Sequence, residues 1–261
     1  MKSFGVFLNI ISKDRDVIEQ RITFLKQLNN LGHIEIWLEY GDWSLDDTEW
    51  LKEKLEGYEI IIHAPFINFS FVSRHQVINE ASLVALQESV KYTEILGGKV
   101  MTVHVGIKPL YLTDEEAREI AIPYLVRLTD FIDGRFDLAI ENLPVKTGTS
   151  LRYPITLKEL KLIIQKVSLL KSTVDIGHCL QNEDDYKDYF ENNINQIANI
   201  HVHNAFVKGK AHFGFDKEGD LNLKEFINFL NKLHYKNYFT FEILGDQDII
   251  KSWQKLQEII N

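Results

Sequence analysis

A single cysteine, Cys179, stands among 261 residues, so no disulfide can close within the chain. That usage fits a reducing cytoplasm, which is where the protein is expected. Cationic excess is missing too: 29 Lys and Arg face 38 Asp and Glu, a net charge of −9. Such a balance argues against broad electrostatic binding of nucleic acid or an anionic membrane surface. No apolar stretch approaches the roughly 20 residues that cross a bilayer, so no membrane partner is expected. The opening MKSFGVFLNIIS has one basic residue and no small-residue cleavage site, and reads as a first strand instead of a secretion signal. No Pro/Gly/Ser-rich linker divides the chain, and no Gly-rich dinucleotide fingerprint follows a strand.

What is present is alternation. Short β-rich apolar runs are followed by longer helical patterns, eight times over. Strands are expected at Phe4–Leu8, Ile34–Leu38, Glu59–Ile62, Val100–Val103, Asp137–Ile140, Thr173–Val174, Ile200–Val202 and Phe239–Phe241. Near-continuous apolar strands are those of a parallel sheet covered on both faces. Thr113 with Glu116, and Thr156 with Glu159, have capping-box spacing. A helix over 74–96 should end at Gly97-Gly98. Leu223, Phe226, Ile227, Leu230 and Leu233 mark an amphipathic helix, and Pro123 should kink or break another. Eight strand–helix units in one unbroken chain make residues 1–261 a single-domain (β/α)8 TIM barrel of the α/β class. A doubly wound open sheet is the alternative.

Six of the eight strands run into a residue that can bind a metal: His63, His104, Glu141, Asp175, His201 and Glu242. A lone strand-end histidine is more often a hydrogen-bonded structural residue than a ligand. The joint pattern carries the inference, because the strands of a parallel barrel converge at that rim. Carboxylates with imidazoles suit Zn, Mn or Fe, and no cysteine set points to a structural zinc site. Gly177 should let the chain turn sharply after Asp175 and swing His178 over the mouth. His201 and His203 alternate with apolar residues and so share one strand face. His212 lies in the stretch 206–219 with Lys208 and Lys210, after the seventh strand, a position that often binds phosphate in such barrels. A solvated loop explains those lysines equally well. His33, His75 and His234 lack evident partners and read as structural or surface residues.

The motifs HAPFINF (63–69), VHVG (103–106), IENLP (140–144), VDIGH (174–178), IHVHN (200–204), AHFGFDKEGDL (211–221) and FEI (241–243) resemble the xylose isomerase-like barrels, a family that also includes endonuclease IV. In its sugar isomerases and epimerases, the resemblance implies one divalent ion on Glu141, Asp175, His201 and Glu242. Glu141 and Glu242 would then be acid and base around a metal-stabilised enediolate. His178 would orient a substrate oxygen and His203 would contact substrate. Lys208 or Lys210 would bind a phosphate, an expectation that rests on loop position and charge and not on the resemblance. The substrate expected is a carbohydrate or sugar phosphate. In the endonuclease branch the resemblance implies up to three zinc ions: His63 and His104 share Glu141 with a second ion, while His178 and His212 serve a third. That alternative is a phosphodiesterase acting on abasic DNA. The third site's remaining ligand would be an Asp where this chain has Lys210, with Asp216 or Glu218 as substitutes. The acidic loop LEYGDWSLDD also lacks the Arg/Gln-rich DNA-inserting pattern. Zn or Mn, one to three ions, is therefore the expected cofactor, with oligomeric state open.

Overall fold

The computed structural model describes residues 3–10, 13–39, 43–145 and 150–260. The loop expected after the second strand, and the residues following Val145, fall partly outside that range. Ten strands are described: β1 (Ser3–Ile10), β2 (His33–Leu38), β3 (Glu59–His63), β4 (Val100–Val103), β5 (Gly106–Pro109), β6 (Asp137–Glu141), β7 (Ser150–Tyr153), β8 (Lys171–Asp175), β9 (Ile197–Val202) and β10 (Tyr238–Phe241). Eight close a barrel in the order β1-β10-β9-β8-β6-β4-β3-β2, with every neighbour parallel. All eight expected strands are there, each within a few residues of its expected ends. The remaining two, β5 and β7, form an antiparallel ribbon that the sequence reading missed.

The helices are α1 (Arg15–Leu25), α2 (Leu45–Lys54), α3 (Gln76–Leu96), α4 (Asp114–Ile132), α5 (Leu157–Ile164), α6 (Ile176–Asn182), α7 (Tyr186–Asn193), α8 (Leu223–Lys232) and α9 (Asp246–Ile260). Among the described residues none is long and apolar enough to cross a membrane. One large core joins the apolar strand residues to the inner faces of the helices, among them Leu223, Phe226, Ile227 and Leu230 of α8.

Local chemistry explains where helices begin and end. Thr113 and Glu116 form the reciprocal capping box at the start of α4. Thr156 caps α5 through its side chain, but Glu159 does not reach back. Its carboxylate is taken by Arg118 and by the Tyr153 hydroxyl instead. Gly97 closes α3 in the left-handed region at φ 69°. Of the kink or break expected at Pro123, the break does not occur: α4 continues through it. The expectation for Gly177 also fails in its stated form, because the residue lies within α6 and has no left-handed backbone.

Candidate functional site

Parallel strands end together, so the residues that terminate them meet at one rim. His63 closes β3, Glu141 closes β6 and Asp175 closes β8; His104, His203 and Glu242 each follow β4, β9 and β10 by one residue. Their ligand atoms gather into three groups, within 4.8 Å of one another in each: His63, His104 and Glu141; Glu141, Asp175, His201 and Glu242; and His178, His203 and His212. All eight sequence-predicted metal candidates are therefore brought together, with Glu141 belonging to two groups. His203, expected at the substrate, joins the third.

Glu141 is the hub. Its Oε2 lies 3.3 Å from His63 Nε2 and 3.0 Å from His104 Nε2. Its Oε1 lies 3.3 Å from His201 Nδ1 and 3.5 Å from His178 Nδ1. Burial pushes the Glu141 carboxyl up, yet His201, His104 and His63 together hold it well below its ordinary range. Asp175 is drawn down likewise: His178 and His203 outweigh its burial. For His104 burial prevails over Glu141, helped by His63 and by Arg152 of β7, and lowers its affinity for a proton.

The donor set can be tested for a cation from hydrogen bonds alone. His63 Nδ1 lies 2.9 Å from the Ala64 carbonyl oxygen, which can only accept, so Nδ1 carries a proton. His63 Nε2 faces a Glu141 oxygen. Burial would lower the ring, but Glu141 outweighs it and raises the ring, so a proton on Nε2 joins the two atoms; a divalent ion there would replace that proton. His178 Nδ1 donates to the Asn142 carbonyl at 3.0 Å. Its Nε2 is buried without a hydrogen-bond partner, and burial lowers the ring to about 4, so that nitrogen is a free lone pair. Glu242 Oε2 also makes no directed hydrogen bond, although His201 Nδ1 lies 3.0 Å away. Orphaned lone pairs on imidazole and carboxylate fit a divalent ion.

The third group is different. His203 Nε2 lies 3.1 Å from Asp175, while Nδ1 lies 3.0 Å from the His212 backbone nitrogen and 3.3 Å from the Asn204 carbonyl oxygen. His203 thus orients a carboxylate, and no carboxylate joins the group itself. Lys210 is exposed on the turn whose ends are tied by Phe206 N–H and the Lys210 carbonyl. Asp216 accepts from Lys251 at 2.9 Å, and Glu218 is exposed. Lys208 is 68% exposed and pairs with Glu183. Gly177 earns its place by size: a Cβ there would sit 1.8 Å from His203 Cε1.

Several residues escaped the sequence reading. Glu35, within β2, is fully buried and bonds both His201 and Asn199. Glu39 accepts from the backbone N–H groups of Phe66 and Ile67 and from the Trp37 indole, fixing the loop after β3. Asn142 clamps Asp175 through its backbone N–H and carbonyl. Asn9 shares the strand face of Phe7, which packs on His63 and His201, so it lies one layer nearer the rim. Its side-chain oxygen is buried and unpaired. His33, thought to lack partners, is buried against Ser3 and Thr240. His75 and His234 are exposed, as expected.

A profile of the xylose isomerase-like TIM barrel family matches residues 12–261. Two uncharacterized proteins of Methanocaldococcus jannaschii are each 24% identical, one over 82% of this chain and 75% of its own length, the other over 96% and 93%. A D-tagatose 3-epimerase-like protein superimposes with a TM-score of 0.82 at 21% identity, covering 100% of this chain and 97% of its own. A D-allulose 3-epimerase from Methylomonas sp. gives 0.80 at 14%, covering 99% and 98%. A family 2 AP endonuclease from Brucella melitensis gives 0.79 at 13%, covering 98% and 99%. Scores this even across sugar and nucleic acid enzymes speak for the fold and leave the reaction to the side chains.

Proposed function

This chain belongs to the xylose isomerase-like TIM barrel family, and on that premise we propose that it is a divalent-metal-dependent isomerase or epimerase of a sugar or sugar phosphate. The observation that carries the reading is the group Glu141, Asp175, His201 and Glu242, gathered at the rim with two glutamates beside one imidazole. Those four residues would hold the ion, which would supply Lewis-acid polarisation of neighbouring substrate oxygens.

The chain's own residues account for the proton. One of Glu141 and Glu242 takes it from the carbon beside the substrate carbonyl, as the electron pair of that C–H bond moves toward the carbonyl oxygen. The other takes up a proton from solvent or a substrate hydroxyl and delivers it to carbon, where the electron pair returning from oxygen forms the new C–H bond. The bare Nε2 of His178 can accept a substrate hydroxyl, and the unpaired Asn9 oxygen can accept another. Lys210 remains the candidate for a substrate phosphate, since Lys208 is engaged by Glu183.

A second reading, an endonuclease IV-like zinc phosphodiesterase acting on abasic DNA, draws on the assembled His63, His104 and Glu141 group. Three observations favour it less. The third group lacks its carboxylate, and the chain is acidic. The Phe66 ring, in the HAPFINF motif where the resemblance to the nucleases would place an aromatic–apolar wedge of Phe66 and Ile67, is stacked on Trp37 at 5.1 Å and on His104 at 4.4 Å. The test is incubation of the Mn- or Zn-loaded protein with ketoses and ketose phosphates in deuterated water, beside an abasic-site duplex. Carbon-bound deuterium and an isomeric product are the expected result. Strand nicking with no deuterium uptake would replace this reading with the second.

A further inference from the structure

We propose that Glu35 is a positioning residue for His201, and that a buried column of side chains along the barrel interior fixes His201 Nε2 as a donor to Glu35, leaving Nδ1 as the nitrogen that an ion held with Glu141 and Glu242 would take. The inference rests on the metal-binding part of the reading above and is independent of the reaction.

The column runs from Ser3 through His33, Thr240, Asn199 and Glu35 to His201, with successive contacts of 3.0, 2.9, 3.0, 2.8 and 2.9 Å. Its members come from β1, β2, β9 and β10, which are neighbours in the barrel. Glu35 interrupts the apolar run of β2 and is 0% exposed. Burying so many polar groups is costly unless each is hydrogen-bonded, and here each one is.

The direction of every hydrogen bond follows from one backbone donor. The Ile200 N–H donates to Asn199 Oδ1 at 2.9 Å, which identifies that atom as the oxygen and turns Nδ2 to Glu35. Thr240 Oγ1 must then donate to Asn199 Oδ1, and having spent its proton it must accept from His33 Nε2. His33 thus carries its proton on Nε2 and accepts at Nδ1 from the Ser3 hydroxyl. Burial, with His201 nearby, lowers His33 to about 3, in keeping with a neutral ring. Gly5 leaves space for it, because a Cβ there would lie 2.3 Å from the His33 ring.

At the other end, both Glu35 oxygens lie within 3.0 Å of His201 Nε2, and a carboxylate facing a ring nitrogen requires that nitrogen to donate. Nδ1 lies 3.3 Å from Glu141 Oε1 and 3.0 Å from Glu242 Oε2. Burial would lower the ring, but Glu35, Glu141 and Glu242 outweigh it and raise the ring well above its ordinary range. Without an ion Nδ1 therefore also carries a proton, and an ion would displace that proton and take the Nδ1 lone pair. A carboxylate behind an imidazole sets tautomer and ring angle together.

Zinc titration by calorimetry on the wild type and Glu35→Gln tests this, because glutamine must present an N–H to one of two donors. The expected result is a zinc affinity weakened about 10- to 100-fold. A merely structural role would lower the melting temperature of the metal-free protein and leave zinc affinity within about twofold, which overturns the proposal. Should Glu35→Gln not fold, nitrogen-15 NMR of histidine-labelled, zinc-loaded wild type decides alone. His33 and His201 should both show their proton on Nε2. A zinc-loaded His201 with its proton on Nδ1 would overturn this inference only, whereas a wild type that takes up no zinc would overturn the metal reading with it.

Discussion

Glu141 touches four imidazoles, while Glu242 touches His201 and lies 4.0 Å from His212. The two glutamates therefore differ in what their loss removes. Glu242→Gln should cut proton exchange at carbon by roughly a hundred- to ten-thousand-fold, the scale of general acid–base catalysis, and activity against isotope uptake measures it. Both variants remove a proposed ligand, but Glu141→Gln weakens two ion groups where Glu242→Gln weakens one, visible as the lower metal content of the two. Away from the rim, His33 gives a pH prediction. Its unfolded form takes up a proton near 6.5 and its folded form only near 3, so the unfolded chain binds more protons in between. This contribution to stability is present above pH 6.5 and is lost as pH falls toward 3, by at most about 1.4 kcal/mol per unit. Urea midpoints measured from pH 7 to pH 4 should fall less steeply in His33→Gln than in wild type. Equal slopes would contradict the buried neutral ring.

At the scale of elements, helix α4 starts on a reciprocal capping box and its neighbour α5 does not. Thr113→Ala should cost about 1 kcal/mol, read as a lower denaturation midpoint with activity kept. The eight barrel strands were legible because a strand covered on both faces is written as an unbroken apolar run, and Val100–Val103 is wholly buried. The ribbon of β5 and β7 was not, since GIKP and SLRY are four residues each and show neither run nor clear alternation. Site residues at strand ends were legible for the same reason of position: a His or Glu closing an apolar run stands out. Glu35 stands inside such a run and its role depends on Asn199 and His201 across the barrel, which no spacing in the sequence reveals. The loop residues behaved likewise. Gly177 was read for backbone freedom, and its use is the close approach of the His203 ring.

For the whole molecule, folding gathers three carboxylates, Glu141, Asp175 and Glu242, with imidazoles at one end of a barrel that carries net charge −9, and backs His201 with a fourth, Glu35, inside it. An ion that binds only the folded chain must stabilise it. Saturation at about 100 times the dissociation constant is worth about 2.7 kcal/mol, or roughly 5–10 °C in melting temperature for a chain of this size. Thermal melts with and without Mn or Zn should show that rise, and chelation should reverse it. The measurement that bears most directly on the account is the metal content per chain of purified protein by elemental analysis, set beside Asp175→Asn. The account predicts at least one divalent ion per wild-type chain and its loss in the variant. A wild-type chain that holds no divalent ion, even after supplementation with free metal, would contradict it.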